Sequence, residues 1–141
     1  MIEDFKRIGI YGVGLLGGSL GMALKQNGVQ SEIVGIGRSE EKLNQALQLR
    51  AIDSYSCTPE SITPPLDLLV VCTPVRMTPA HFQKALPSLK NGAIVTDVGS
   101  TKKHLVDRCE AIAGNKVYFV GSHPIAGSHK TGVTASQSDL F

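Results

Sequence analysis

The sequence predicts an α/β fold, a doubly wound parallel sheet with helices on both of its faces. Short aliphatic runs alternate with segments of helical period along most of the chain. Strands that are separated by helices pair in parallel through right-handed crossovers. The first aliphatic run also ends in a cluster of glycines, and this favours six strands in the order 3-2-1-4-5-6.

Each predicted strand is a short apolar run that ends at turn or loop residues. The run over 68–72 contains no polar alternation, so it is predicted to be a central strand covered on both faces. The run over 52–55 is the weakest of the set. The predicted strands are 7–11, 32–37, 52–55, 68–72, 93–96 and 117–120.

Four amphipathic segments between these strands are predicted to be helices. Ser39 is a good N-cap for the second helix, which has two glutamates in its first turn. The third helix begins at Thr78-Pro79 and is predicted to end at Asn91-Gly92. Ser100 is a candidate cap for the fourth helix, and Gly114 ends it. After the sixth strand the chain is predicted to be a loop.

The composition limits the class of protein. The chain has 141 residues, 42% of them hydrophobic and 18% charged, which suits one domain with a real core. A formal net charge of +2 gives no broad positive field, so nucleic acid is not an expected partner. No apolar run approaches the ~20 residues that span a bilayer, and no secretory leader is expected. The 3 cysteines lack metal-ligand spacing, which predicts no metal site and a reducing cytoplasm.

The glycine cluster has the spacing GxGxxG between a predicted strand and a predicted helix. The first glycine permits a tight turn, the second lets the backbone approach a pyrophosphate, and the third allows close packing of helix on strand. The N-terminus of the following helix offers free N–H groups to the anion. These residues predict a dinucleotide site of the Rossmann type, with Gly12, Val13, Gly14, Leu15, Leu16 and Gly17 as cofactor-binding residues.

The end of the second strand indicates which dinucleotide is bound. A site selective for NAD usually has a carboxylate there, hydrogen-bonded to the ribose 2′-hydroxyl. This chain has Gly37 at that place, followed by Arg38 and Ser39. A guanidinium and a hydroxyl can bind a 2′-phosphate, so the sequence favours NADP over NAD. The alternative is that Arg38 is solvated and Ser39 only caps its helix.

Ligands of a doubly wound sheet lie beyond the carboxyl ends of its strands. Three short segments follow strands four, five and six there, and each lies on the expected path of the nicotinamide. His81 and His104 fall on helices and are interpreted as ordinary exposed residues. The further candidate cofactor-binding residues are Cys72, Thr73, Pro74, Asp97 and Gly99.

His123 differs from the other histidines because it directly follows a buried strand. An imidazole at such a place can serve as a general base, and Ser100 could approach it from the neighbouring strand end. The alternatives are a structural histidine that bonds to loop backbone and a serine that only caps a helix. The cysteines are interpreted as buried small apolar residues rather than nucleophiles.

Four segments together resemble the prephenate/arogenate dehydrogenase family of tyrosine biosynthesis. They are residues 12–19, 71–74, 96–102 and 121–127, and the last two carry the DxGSxK and HPxAG motifs. The resemblance implies an NAD(P)-dependent oxidative decarboxylation of a cyclohexadienyl substrate. It implies that His123 takes the proton of the 4-hydroxyl as hydride leaves for the nicotinamide, and that Ser100 lies beside that hydroxyl.

Two features depart from the pattern of that family. Ser128 and His129 match positions that line the substrate pocket, where many relatives carry Thr and Glu. Family members continue into a helical C-terminal domain, which forms a homodimer and supplies an arginine for the side-chain carboxylate of the substrate. Residues 1–141 correspond to the nucleotide-binding domain alone, and no arginine follows Arg108. We therefore expect a domain that binds cofactor and turns over little substrate by itself.

Three interpretations of function remain open at this point. The first is a dehydrogenase of prephenate or arogenate, two substrates that differ by a keto or an amino group. The second is a stand-alone NADP-binding module without catalysis. The third is another oxidoreductase of this fold, of the β-hydroxyacid or 6-phosphogluconate type, which would carry a catalytic lysine further downstream.

Overall fold

The computed structural model describes residues 2–127 and 129–141. Its centre is a six-stranded sheet in the order β3-β2-β1-β4-β5-β6, and every pair of neighbouring strands is parallel. The predicted fold class and strand order are confirmed. The strands are β1 (Arg7–Tyr11), β2 (Glu32–Ile36), β3 (Ser54–Ser56), β4 (Leu66–Val71), β5 (Leu89–Asp97) and β6 (Tyr118–Val120).

Helices cover both faces of the sheet and define two separate core clusters. Leu43 and Ala46 pack on one face together with Ile8 and Ile33. Phe82 packs on the other face, within a cluster that also includes Leu69 and Cys109. None of the helices that the structure describes is long and apolar enough to cross a membrane. The helices are α1 (Leu15–Gln26), α2 (Glu40–Gln48), α3 (Thr78–Ala85) and α4 (Lys103–Ala113).

The third helix is shorter than the sequence predicted. It ends at Ala85, and a 3-10 turn over Leu86–Ser88 leads directly into β5. Pro87 explains this end, because proline has no N–H to donate and its ring clashes with the carbonyl four residues back. Asn91-Gly92 therefore lies inside β5 instead of ending a helix. Gly92 has a positive φ of 80°, at the irregular part of β5 where the register with β4 shifts.

The fourth helix begins later than the sequence predicted. Its first residue is Lys103, and the N-cap residue Lys102 makes no capping hydrogen bond with its side chain. Ser100 therefore does not cap α4, and its exposed side chain lies in the loop that precedes the helix.

The end of the chain returns to the first two helices, although it was predicted to be a loop. A 3-10 turn over Val133–Ala135 lies against α1 and α2. Val133 is only 4% exposed and belongs to the same core cluster as Ile8 and Leu43. Val133 thus anchors this turn in the core of the domain.

The amino ends of β1 and β2 carry an ion pair that makes stability depend on pH. The Arg7 Nε and Nη2 atoms donate to Glu32 at 2.6 and 3.2 Å, and this hydrogen bonding lowers the pKa of Glu32 below its ordinary value of 4.5. A lowered folded-state pKa stabilises the protein above the unfolded pKa, and that contribution is lost as pH falls through the folded pKa.

We expect Glu32→Gln to reduce the free energy of unfolding by about 1 kcal/mol at neutral pH, because the pair is bidentate but partly exposed. Urea unfolding of the two proteins from pH 7 to pH 3 should show this difference shrinking towards zero in acid. Glu110→Gln, at an exposed glutamate of α4 that lies away from the helix N-terminus, is the control. A difference that stays constant with pH would contradict this role for Glu32.

Candidate functional site

A cleft of about 570 Å³ lies at the carboxyl edge of the sheet. It is bounded by the residues that follow β1, β2 and β4, where a doubly wound sheet binds its ligands. Leu15, Leu16 and Gly17 form the first turn of α1 and do not line it. The predicted cofactor-binding residues that line the cleft are Gly12, Val13, Gly14, Arg38, Ser39, Cys72, Thr73 and Pro74.

The geometry of the glycine turn explains its spacing. Gly12 has φ +91°, and a Cβ there would lie 2.7 Å from the Thr73 side chain. A Cβ on Gly17 would lie 2.2 Å from the carbonyl oxygen of Gly12, so both positions exclude a side chain. Gly14 is different, because no atom lies within 4 Å of its Cβ position. The space beside Gly14 is open to a ligand.

The first turn of α1 is suited to an anion. Gly14 is the N-cap, and no side chain caps the helix. The N–H groups of the first helical residues, Leu15, Leu16 and Gly17, have no partner inside the helix and lie at its positive end. A pyrophosphate placed beside Gly14 would accept hydrogen bonds from such groups. Leu15, Leu16 and Gly17 can thus act through their backbone while their side chains stay out of the cleft.

The loop after β2 brings positive charge to the opposite wall of the cleft. Arg38 is exposed, and it lines the cleft together with Lys42. The Ser39 hydroxyl accepts a hydrogen bond from the Lys42 N–H at 3.3 Å. Ser39 therefore caps α2, as predicted, and also faces the cleft. Among the described residues that line this cleft there is no carboxylate.

His81 is not the ordinary exposed residue that the sequence suggested. Its ring stacks on Tyr11, with centroids 4.4 Å apart and an interplanar angle of 12°. Its Nδ1 atom lies 2.9 Å from the Thr73 hydroxyl, and the residue lines the cleft. Burial, together with the positive charges of Lys84 and Arg38, lowers the pKa of His81, so the neutral imidazole is favoured here.

No signal in the single sequence could have identified His81. Its stacking partner Tyr11 is distant in the chain, and only the pairing of β1 with β4 brings the two residues together. The interpretation of His104 as an exposed residue on a helix is confirmed, because its side chain is exposed on α4.

The cysteines do not have the properties of nucleophiles. Burial, followed by the negative charge of Asp97, raises the pKa of Cys72 to about 12. The same two causes raise the pKa of Cys109 to about 11, and a thiol with such a pKa is almost fully protonated at neutral pH. Cys57 departs from the prediction of burial, because it is exposed.

A second group of residues lies where β5 and β6 end. Asp97, the last residue of β5, is fully buried. One carboxylate oxygen accepts hydrogen bonds from the Gly99 N–H at 2.7 Å and from the Lys102 ammonium at 2.6 Å. The other accepts from the Ser122 N–H at 3.2 Å. The carboxylate of Asp97 is thus engaged by the protein itself, and it joins two loops.

These two loops carry the candidate catalytic residues. Ser100 follows Gly99, and His123 follows Ser122, so each lies one residue from a hydrogen bond to Asp97. The strands before them are neighbours, with Thr96 paired to Val120. Both side chains are exposed, which leaves Ser100 and His123 accessible to a substrate at the same edge of the sheet.

The remaining predicted substrate residues are less informative. His129 is exposed and does not line the cleft described above. Ser128 lies outside the described residues. The roles of Ser128 and His129 stay predictions.

A parallel sheet of this order, with a glycine turn opening beside a cleft, defines a dinucleotide-binding domain of the Rossmann type. Residues 20–141 match the family described as prephenate dehydrogenase, nucleotide-binding domain. The chain belongs to that family.

Relatives of known sequence agree with this assignment. The prephenate dehydrogenase of Bacillus subtilis is 37% identical over 131 residues, which cover 92% of this chain and 35% of the relative. The enzyme of the same name from Lactococcus lactis is 35% identical, covering 96% of this chain and 38% of the relative. The chain therefore spans well under half the length of these relatives.

Solved structures show the same arrangement. A prephenate dehydrogenase from Aquifex aeolicus, in complex with hydroxyphenyl propionate and NAD⁺, superposes with a TM-score of 0.87 at 35% identity, covering 96% of this chain and 47% of that one. An arogenate dehydrogenase from Synechocystis superposes with a TM-score of 0.86 at 27% identity, and the superposition covers 96% of this chain and 46% of that one.

Proposed function

We propose that this chain is the nucleotide-binding part of a dehydrogenase that oxidatively decarboxylates prephenate or arogenate. The observation that carries the proposal is the joint placement of two sites along one edge of the sheet. A cleft with an open Gly14 lies at one end of this edge. The loops of Ser100 and His123, both tied to Asp97, lie at the other end. Membership of the family supplies the reaction for which such an arrangement is suited.

The residues of the cleft fit a dinucleotide. The uncapped N-terminus of α1 would hold the pyrophosphate, and the space beside Gly14 lets the phosphates approach the backbone. The bound nicotinamide would supply the hydride acceptor. The edge formed by β4, β5 and β6 then leads from the cleft towards His123.

The proposed chemistry at the second site is a proton transfer. His123 accepts the proton of the substrate's 4-hydroxyl through its imidazole, while Ser100 holds that hydroxyl in place. The C4–H bond breaks with loss of hydride, the hydroxyl becomes a carbonyl, and the ring carboxylate leaves as CO₂. The electrons of the broken carbon–carboxylate bond enter the ring and pass to the carbonyl oxygen. The ring becomes aromatic, and the resulting phenolate oxygen takes up a proton. Asp97 is assigned a positioning role, because its carboxylate is buried and engaged by neighbouring residues of the two loops.

We also propose that the substrate pocket needs protein surface beyond these 141 residues. His123 and Ser100 are exposed, whereas a binding pocket buries most of a small ligand. The relatives named prephenate dehydrogenase are more than twice as long as the segment that aligns with this chain. Discrimination between prephenate and arogenate, and assembly as a homodimer, are assigned to that additional surface.

The free cysteines favour a cytoplasmic setting.

NADP is the proposed preferred cofactor, on the strength of Arg38, Lys42 and Ser39 at the end of β2. Calorimetric titration of the chain should show NADP binding at least tenfold more tightly than NAD, a difference of about 1.4 kcal/mol. Arg38→Ala should weaken NADP binding by about that tenfold factor and leave the affinity for NAD unchanged. NAD has no 2′-phosphate for a guanidinium to bind.

Arg108→Ala, an exposed arginine on α4, is the matched control and should change neither affinity. Equal or tighter binding of NAD by the unmodified chain would contradict the NADP preference. It would mean that Arg38 is only a solvated surface residue and that Ser39 serves as a helix cap.

The second candidate function is a stand-alone NADP-binding module without catalysis. The exposure of Ser100 and His123 favours it for the chain taken alone. The chain alone is expected to turn over little substrate in either case, so steady-state turnover of prephenate or arogenate is measured after residues 1–141 are joined to the remaining part of a relative. Turnover by the joined protein supports the dehydrogenase, whereas dinucleotide binding without turnover by the joined protein supports the module.

A further inference from the structure

Residues 132–137, which we call the strap, cross the glycine turn. Val133 is buried against the core cluster that underlies α1 and α2. The strap also reaches the cleft, because Gly132, Val133 and Thr134 line it beside Gly12 and Gly14. The wall of the proposed dinucleotide site is therefore built in part by a segment from the far end of the chain.

Two serines join the strap to the turn by hydrogen bonds. The Ser136 hydroxyl donates towards the carbonyl oxygens of Gly14 and Leu15, at 3.2 and 3.3 Å. The N–H of Gln137 donates to the hydroxyl of Ser19 at 2.9 Å, and Ser19 is fully buried in α1. The strap is thus attached both to the start of α1 and to its second turn.

Gly18 shows how closely the strap packs on the helix. A Cβ at this position would lie 2.2 Å from the Ser136 Oγ atom and 2.9 Å from a methyl group of Val133. Both distances are too short for a real contact. Gly18 lies outside the GxGxxG spacing, and the phosphate-binding chemistry of that motif does not require it. The requirement for glycine at residue 18 comes from the strap.

Peptide geometry links the strap to the anion site. The C=O of one residue and the N–H of the next lie in one plane and point in opposite directions across a trans peptide. Ser136 holds the carbonyl groups of Gly14 and Leu15. Holding them fixes the N–H groups of Leu15 and Leu16, which face the proposed pyrophosphate at the N-terminus of α1.

We propose that the strap is part of the dinucleotide site, with Ser136 and Ser19 as positioning residues for the pyrophosphate-binding turn. The proposal rests on the dinucleotide site of the proposed function. Because the pyrophosphate is common to both cofactors, loss of the strap weakens NADP and NAD binding by the same factor. Loss of the strap differs in this respect from a change at Arg38, which weakens the binding of NADP alone.

Two variants of the 141-residue chain test the proposal by calorimetric titration with NADP and with NAD. Ser136→Ala removes one hydrogen-bond donor, and we expect about threefold to tenfold weaker binding of both dinucleotides. Gly18→Ala displaces the strap through its new methyl group, and we expect at least the same loss. Alanine is the better helix former, so α1 itself should stay folded.

Ser138→Ala is the matched control, because Ser138 faces a separate depression beside Met22 and Asp53. Urea unfolding accompanies each titration. Weaker binding of both dinucleotides by Ser136→Ala, with an unchanged unfolding midpoint, supports the positioning role. Wild-type affinity in both variants overturns the strap proposal alone, as does a loss of binding that only follows a loss of stability. An unmodified chain that binds neither dinucleotide overturns the proposed function and the strap with it.

Discussion

Replacement of His123 by asparagine should lower kcat for prephenate oxidation by about 100-fold to 10,000-fold, the range expected when a general base is removed. Asparagine keeps a polar side chain of similar reach but cannot accept the proton of the 4-hydroxyl. The affinity for the dinucleotide should be unchanged, because His123 does not line the cleft that we propose as the dinucleotide site.

The measurement uses a fusion of residues 1–141 to the remaining part of the Bacillus subtilis relative, since this chain aligns with 35% of that protein. Single-turnover and steady-state rates are compared for the fusion and its His123→Asn variant. His104→Asn, an exposed histidine on α4, is the control. A fall of less than threefold in kcat would show that His123 is a structural residue of its loop, whereas an inactive unmodified fusion would argue against the proposed reaction itself.

The pattern of apolar runs and turns in the sequence was sufficient to predict the six strands of the sheet and their order. Aliphatic runs and glycine turns are local features, and the order of the strands follows from general rules of parallel crossovers. The error at the third helix was also local. Pro87 ends the helix at Ala85, and the more conspicuous Asn91-Gly92 turned out to lie within a strand.

The site was predicted only in part, because several of its contacts join distant parts of the chain. His81 is placed by Tyr11 and Thr73, and neither partner is recognisable from the neighbourhood of His81. Ser136 and Gly14 are 122 residues apart. The spacing of a motif identifies residues that share one turn, but it does not identify a side chain that reaches that turn from elsewhere.

Asp97 illustrates the same limit for a residue that the sequence did single out. Its position at the end of β5 suggested a contact with the cofactor. The structure shows instead a fully buried carboxylate that is bonded to Gly99, Lys102 and Ser122. The predicted cofactor contact of Asp97 stays a prediction, and from this geometry we expect Asp97 to act through the loops that it holds.

Replacement of Asp97 by alanine should reduce the free energy of unfolding by about 3 kcal/mol. The change leaves the N–H groups of Gly99 and Ser122 without their acceptor. Both hydrogen bonds are only partly buried, so each loss lies in the lower half of the range of about 1 to 3 kcal/mol for an unsatisfied buried donor. It also leaves the ammonium of Lys102 without its partner. Because the side chain of Lys102 is 30% exposed, water can hydrate this charge, so loss of the ion pair adds little to the cost of the two donors.

The expected change is measured by urea unfolding at pH 7, with Asp107→Ala on the exposed face of α4 as the control. The free energy of unfolding of Asp97→Asn should lie between those of Asp97→Ala and Asp107→Ala. The amide oxygen of asparagine can still accept hydrogen bonds but carries no charge for Lys102. The loops of Ser100 and His123 lose a common attachment in the alanine variant, so kcat of the fusion should fall further than dinucleotide affinity does. An unfolding free energy within about 0.5 kcal/mol of the unmodified chain would mean that the two loops are held by other contacts. The catalytic edge would then be organised by the sheet itself, through the pairing of β5 with β6, and not by the carboxylate between them.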